Sequence, residues 1–394
     1  MVKKEWGMDT LVVHGSEGID KVTGAVAPPI YQSSTFAFRN SDHGEALFKG
    51  EATGYIYSRL GNPTEECLER EMAFLENGEA ALAFASGMGA ETALILTLCG
   101  VGDNLVSSIT VYGGTHAMYK TLLPRFGIEG REVNATHLDE LEAAIDDRTK
   151  LIFIETPANP TLAIIDIRGC ARIAHKHGIP LVVDNTFATP MLQRPLDLGA
   201  DVVIHSATKY IGGHGDTVAG IVVGKQELIT RIRKETLNHV GSCISPFNAW
   251  LLLRGLKTLA VRMRRHCTNA MRVAQYLSFH PRVKIVHFPG LAFHPGHELA
   301  KSQMSDFGGM IAFEIKGNRK DATKVMDALE LCTMAVSLGD CDTLVCHPAS
   351  TTQSSYTSEQ LAEAGIAEGL IRLSVGIEDP RDICADLGQA LKAF

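Results

Sequence analysis

Two strand-like runs end in residues able to do covalent chemistry. Val182-Val183-Asp184-Asn185 and Ile204-His205-Ser206-Ala207-Thr208-Lys209-Tyr210 each place a charged residue at the C-terminal end of a β-forming stretch. In open α/β sheets that edge is where ligands bind. A lysine there, flanked by Ser206 and Thr208 and followed by Gly212-Gly213-His214-Gly215, suits a Schiff base to a carbonyl cofactor. An aspartate on a neighbouring strand suits a pyridine nitrogen, whose positive charge a buried carboxylate stabilises. A single lysine ending a strand is ordinarily a solvated one; company gives Lys209 its meaning.

Ala85-Ser86-Gly87-Met88-Gly89-Ala90 is a small-residue turn between a strand and a helix. Free N–H groups at a helix start bind phosphate, and glycine lets the backbone approach closely. After Gly87 and Gly89 comes Thr92, so the turn is not the dinucleotide fingerprint. With the hydroxyls of Ser206 and Thr208 it forms a phosphate cup. Tyr112, in Tyr112-Gly113-Gly114-Thr115, opens a helix on the same sheet edge; its ring can stack on a flat cofactor and its phenol can pass a proton. Tyr57 and Arg59 offer a donor and a cation to a phosphate. Arg372 is a charge inside the apolar pattern Leu370-Ile371-Arg372-Leu373-Ser374-Val375. It needs a buried anion: a substrate carboxylate gripped by two N–H groups, or a structural ion pair.

Other chemistries lack support. His205, His214 and Asp216 are close in sequence, but no HExxH helix or cysteine pair completes a metal site. No GxSxG elbow is present. The 394 residues carry a net charge of −8, which argues against a nucleic-acid surface or a polybasic membrane patch. No apolar run reaches the roughly 18 to 20 residues of a membrane span. The start, Met1-Val2-Lys3-Lys4-Glu5-Trp6, has no apolar core of a signal peptide, and nine cysteines without a CxxC pair suit reduced thiols, so a cytoplasmic protein is expected.

The elements that must position these groups follow from pattern. From residue 62 to about 224, short β-branched runs alternate with helical stretches, and Asn62-Pro63-Thr64 reads as a helix start. Strands are expected at Leu82 to Ala85, Asn104 to Ser107, Leu151 to Glu155, Leu181 to Asp184, Val202 to Ser206 and Gly220 to Val223. Continuous apolar strands with crossover helices mean an α/β fold with a mostly parallel sheet covered on both faces. One long helix from Ala249 to about Leu277 leads into a smaller α+β domain. The expected division is an arm (1–60) packing on a neighbouring subunit, a large domain (61–248) and a small C-terminal domain (249–394).

Taken together, Tyr57-Ser58-Arg59, Ser86-Gly87-Met88, Tyr112-Gly113-Gly114, Glu155-Thr156-Pro157-Ala158-Asn159-Pro160, Asp184-Asn185-Thr186, Ser206-Ala207-Thr208-Lys209-Tyr210, Ser337-Leu338-Gly339 and Arg372-Leu373-Ser374-Val375-Gly376 resemble the Cys/Met-metabolism family of pyridoxal-phosphate (PLP) enzymes, over nearly the whole chain. The resemblance implies PLP-dependent transferase fold type I, a homotetramer (a dimer of dimers), an amino-acid substrate, and pyridoxal 5'-phosphate as a Schiff base on Lys209. It assigns Asp184 to the pyridine nitrogen, Tyr112 to ring stacking and proton transfer, and Asn159 to the ring hydroxyl. Gly87, Met88, Ser206 and Thr208 hold the phosphate, with Tyr57 and Arg59 from the partner subunit. Ser337 and Arg372 receive the α-carboxylate.

Within the family, Val336 stands where cystathionine enzymes usually have a glutamate, and the runs from Ser337 to Leu344 and His347 to Ser350 look most like methionine γ-lyases. That implies γ-elimination from L-methionine or homocysteine. Gly114, Leu237 and Asn238 depart from the methionine γ-lyase pattern, where a cysteine and a Lys-Asp pair are usual, and Gln353 replaces a histidine common in the family. Gly114 and Asn238 look like the cystathionine enzymes, so cystathionine γ-lyase or γ-synthase is the alternative, with O-acetylhomoserine sulfhydrylase as a third.

Overall fold

Strands rich in valine, leucine and isoleucine with no polar alternation must be covered on both sides. A computed structural model of the chain, which describes residues 6–15, 20, 22–354, 356–363 and 365–394, has that arrangement. Strands β1 (Ala80–Phe84), β2 (Asn104–Ser108), β3 (Glu129–Val133), β4 (Thr149–Glu155), β5 (Leu181–Asp184), β6 (Val202–Ser206) and β7 (Gly220–Gly224) form a sheet in the order β1-β7-β6-β5-β4-β2-β3. Only β7 runs against its neighbours; all other pairs are parallel. Alternation decides which side each residue serves. Val202 and Ile204 of β6 join one core with Leu94 and Phe153, whereas Val203 joins the opposite core with Leu68, Met72 and Leu252. Each such side chain contributes about 1.5–3 kcal/mol by leaving water.

The helix Pro63–Leu75 starts as the sequence requires: Pro63 occupies the first turn and the Asn62 side chain accepts from the Thr64 N–H. A second sheet holds β8 (Val283–His287), β9 (Met310–Ile315), β10 (Thr333–Met334), β11 (Leu344–Cys346) and β12 (Leu370–Ser374), in the order β10-β11-β12-β9-β8. It is antiparallel except between β10 and β11. Helices Leu259–Ser278 and Pro380–Ala390 cover it: Val273, Leu277, Ile383 and Leu387 share a core with Phe313 and Leu373.

The expected single helix from Ala249 is in fact two, Pro246–Leu256 and Leu259–Ser278. The break is filled by side chains. The Gly255 carbonyl accepts from the Thr258 hydroxyl at 3.2 Å and from Arg262 Nη2 at 2.8 Å, so groups outside the helical ladder satisfy it. Strand β3 lacks the apolar pattern of its neighbours: its sequence, Glu-Gly-Arg-Glu-Val, is polar because it is a half-exposed edge that, among the described residues, pairs with β2 alone. The described residues of the arm are not wholly extended. They contain helices Met8–His14 and Ser41–Lys49, and Leu11 and Val12 are buried against the chain's own core. Among the described residues, no helix is long and apolar enough to cross a membrane.

Candidate active site

Parallel strands β4, β5 and β6 end side by side, and Glu155 pairs with Asp184 in the register. A cavity of about 230 Å³ opens at this edge. It is lined from below by Ser86, Gly87, Met88, Tyr112, Asn159, Asp184, Ser206, Thr208 and Lys209, and from the second sheet by Ser337 and Arg372. Tyr57 and Arg59 do not line the cavity of their own chain. The Arg59 guanidinium lies 5.7 Å over the Tyr57 ring and donates to the Asn238 carbonyl.

Lys209 follows β6 by three residues, and its Nζ donates to Ser337 Oγ at 2.8 Å. Burial, aided by the Arg372 charge, lowers its pKa to about 8. That gives roughly three hundredfold more free amine at neutral pH than an ordinary lysine. Asp184 is buried, and its Oδ1 accepts the Thr186 N–H at 2.8 Å. Burial pushes its pKa above the ordinary carboxylate value. It therefore gains by facing a cation.

The helix Gly87–Leu98 starts against β6. A Cβ on Gly87 would stand 3.1 Å from that of Ser206, so only glycine lets the two backbones come this close. Ser86 Oγ accepts the Gly89 N–H at 3.0 Å, which leaves the N–H groups of Gly87 and Met88 without partners among the described residues. Ser206 sits opposite, with its own N–H held by Thr186 Oγ1 at 2.8 Å, and Thr208 Oγ1 accepts from the Ala219 N–H at 3.0 Å. An anion-binding pocket results.

Arg372 leaves the middle of β12 and is buried. Its Nη1 donates to Asn159 Oδ1 at 2.8 Å and its Nη2 to the Ser337 carbonyl at 2.9 Å, while Nε is buried with no partner. Neither acceptor is charged. A buried guanidinium that faces a cavity with one N–H unpartnered and no ion pair among the described residues is poised for a carboxylate.

The sequence pattern gives Glu91 no role and shows Glu155 only within a motif. Both line the cavity. Glu91 Oε2 accepts from the Thr115 hydroxyl at 2.7 Å, and burial with the Asp184 charge lifts its pKa to about 8. Burial and Asp184 also raise Glu155 well above the ordinary value. Thr186, Phe187, Val218, Val336, Leu338 and Thr352 complete the lining. No local pattern marks these residues, because their position comes from packing between distant segments. Cys243 and Cys341 stand outside the cavity lining; Cys341 Sγ donates to the Gly213 carbonyl at 3.1 Å. A Cβ on Gly114 would lie 2.5 Å from the Tyr112 ring, so glycine there sets how the ring lies. Leu237 is buried in the core, and Gln353 is fully buried with Nε2 unpartnered.

An α/β protein with a desolvated lysine amine, a buried aspartate beside it and an anion cradle at one sheet edge belongs to the class that works through a carbonyl-bearing pyridine cofactor. The sequence matches the family described as Cys/Met metabolism PLP-dependent enzyme over residues 9–392, and the chain belongs to that family. It is 51% identical to an L-methionine gamma-lyase of Pseudomonas putida over 388 residues, 98% of each chain. It is 46% identical to a cystathionine gamma-lyase of Bacillus subtilis, covering 97% of this chain and 98% of that one. A Campylobacter jejuni crystal structure carrying N'-pyridoxyl-lysine-5'-monophosphate superposes with a TM-score of 0.96 at 38% identity, over 98% of this chain and 100% of that one. The cofactor is therefore pyridoxal 5'-phosphate, and the residues present fit it. Asp184 is buried without an ion pair among the described residues, which calls for a cation, and the close approach at Gly87 leaves free N–H groups for a phosphate.

Proposed function

We propose that this chain is a carbon–sulfur lyase that carries out γ-elimination on sulfur amino acids, converting L-methionine to 2-oxobutanoate, ammonia and methanethiol, and homocysteine likewise with release of sulfide. The observation that carries the reading is the contact of Lys209 Nζ with Ser337 Oγ, in the cavity that also holds Asp184 and Arg372. It brings a proton-carrying amine next to a free carboxylate grip. Relatives at about half identity over the full length support the choice of reaction.

Pyridoxal phosphate, carried on Lys209 until the substrate's amino group takes the lysine's place and frees its amine, would supply an electron sink conjugated to the amino-acid nitrogen. The chain's own residues do the rest. Arg372 and Ser337 orient the substrate by its α-carboxylate. Asp184 keeps the ring nitrogen protonated. The Lys209 amine takes the α-proton and shuttles protons to and from the β-carbon. The Tyr112 phenol protonates the departing thiolate sulfur, which breaks the γ-carbon–sulfur bond with the electron pair leaving on sulfur. Water then releases ammonia. Gly87, Met88, Ser206 and Thr208 hold the phosphate, Asn159 holds the ring hydroxyl, and Tyr57 and Arg59 of the partner subunit add a phenol and a cation. That last role fits residues that are absent from their own cavity.

An apolar Val336, exposed at the rim, suits a thiomethyl tail and leaves a distal ammonium unpaired. Gly114 and Asn238 favour the second reading, a cystathionine γ-lyase or γ-synthase. The nine cysteines form no disulfide among the described residues, which suits a reducing cytoplasm, and largely exposed Val22 and Val26 suit an arm covered in a homotetramer. Keto-acid release from methionine, homocysteine, cystathionine and cysteine, with volatile thiol measured in parallel, tests the reading. Methionine should yield methanethiol and 2-oxobutanoate in equal amounts. Turnover confined to cystathionine would overturn it.

A further inference from the structure

Glu155 ends β4 with its carboxylate in the cavity wall, and the mechanism above does not use it. Each of its oxygens has a separate task. Oε2 accepts the Tyr112 N–H at 2.8 Å and Oε1 accepts the Asn159 N–H at 3.0 Å. These two loops carry the ring-facing phenol and the partner of Arg372. Tyr112 precedes the helix Gly113–Thr121 without a capping bond of its own, so the Glu155 contact holds its backbone. Asn159 passes the constraint on, because its Oδ1 accepts Arg372 Nη1 at 2.8 Å. Arg372 in turn reaches the Ser337 carbonyl, and Ser337 Oγ accepts Lys209. Glu155 is thus the junction of two branches.

The residue type is informative. Glu155 is only 4% exposed and forms no ion pair among the described residues, an expensive place for a carboxyl. Accepting one N–H at each oxygen is what a carboxylate can do and an amide cannot, since glutamine has one acceptor oxygen. We infer that Glu155 is a positioning residue that sets Tyr112 and the Asn159–Arg372 pair at once, coupling the acid to the carboxylate grip. This rests on the roles proposed above for Tyr112 and Arg372.

The test uses the holoenzyme and glycine, an amino acid with no γ-substituent, whose binding is read from the visible spectrum of the bound cofactor. Glu155→Gln should keep its cofactor content and melting temperature close to wild type. It should need about tenfold more glycine for half-saturation, with KM for methionine up and kcat down by similar factors, as expected for loss of one buried hydrogen bond. Combining it with Arg372→Lys should cost less than the product of the single effects. Should Glu155→Gln not fold, Glu155→Asp keeps both acceptors on a shorter arm and should weaken glycine binding in the same sense. Unchanged glycine affinity in the variant that folds, or strictly multiplicative effects with Arg372→Lys, would overturn the inference. Neither result touches the lyase reading, which falls only if methionine turnover is absent in the wild type or survives Lys209→Ala.

Discussion

The cavity has two walls of different make. One is the edge of the seven-stranded sheet, where Asp184, Ser206, Thr208 and Lys209 lie at or just past strand ends with ordinary backbone. The other comes from the second sheet. There Arg372 points from mid-strand, and Ser337, between β10 and β11, has φ +97°, a left-handed conformation rare outside glycine. Such a residue costs on the order of 1–3 kcal/mol and persists only where its surroundings over-determine it. Here the Ser337 carbonyl serves Arg372, its hydroxyl serves Lys209, and the Gly339 N–H nearby donates to Ser374 Oγ at 2.9 Å. The regular wall suits a cofactor common to a family. The strained wall, beside the exposed Val336, suits recognition of one amino acid among several.

The walls should fail differently when broken. On the regular wall, Lys209→Ala should cut methionine turnover by about 10³-fold or more while any bound cofactor stays unlinked; activity near wild type would remove the basis for the reading. On the strained wall, Arg372→Lys should lower kcat/KM by roughly 10²-fold, mainly through KM, because an ammonium cannot reproduce the two-pronged grip. A large fall in kcat at constant KM would instead assign Arg372 to the bond-breaking step.

How much of each wall is legible in the sequence follows the same division. Lys209, Asp184 and Gly87 are readable because each sits in a run of consecutive residues whose β or turn chemistry is local. Arg372 is readable as a charge that breaks an apolar strand pattern. Glu91, Glu155 and Thr186 are not, because burial and partners from other segments give them their roles. The helix break at Lys257–Thr258 escapes notice for a related reason: Arg262 and a threonine hydroxyl, rather than a proline, end the first helix.

Two milder variants sharpen the contrast. Ser337→Ala removes the acceptor for Lys209 and keeps the strain, so activity should fall about tenfold with little stability change. Ser337→Gly removes both, and its melting temperature should exceed that of Ser337→Ala by about one degree, equivalent to ~1 kcal/mol. Equal melting temperatures would argue against stored strain. The smallest effect concerns the apoprotein. Glu91 is protonated in both states below its ordinary pKa of 4.5, and the fold keeps it protonated up to about 8. Its stabilisation is therefore complete at acid pH and is lost as pH rises through that window. Glu65, also lifted to about 8 by burial, acts in the same direction. The melting temperature should fall between about pH 6.5 and 8, above the range in which the buried His266 and His294, both lowered to about 4, act in the opposite direction, and less steeply in Glu91→Gln. Superimposable pH profiles would refute the shift.

The most direct measurement of the central claim is borohydride reduction of the purified holoenzyme followed by peptide mapping. A phosphopyridoxyl group on the Lys209 side chain, and on no other lysine, is the expected result. A stable adduct elsewhere, or none at all, would contradict the assignment on which the site and its chemistry stand.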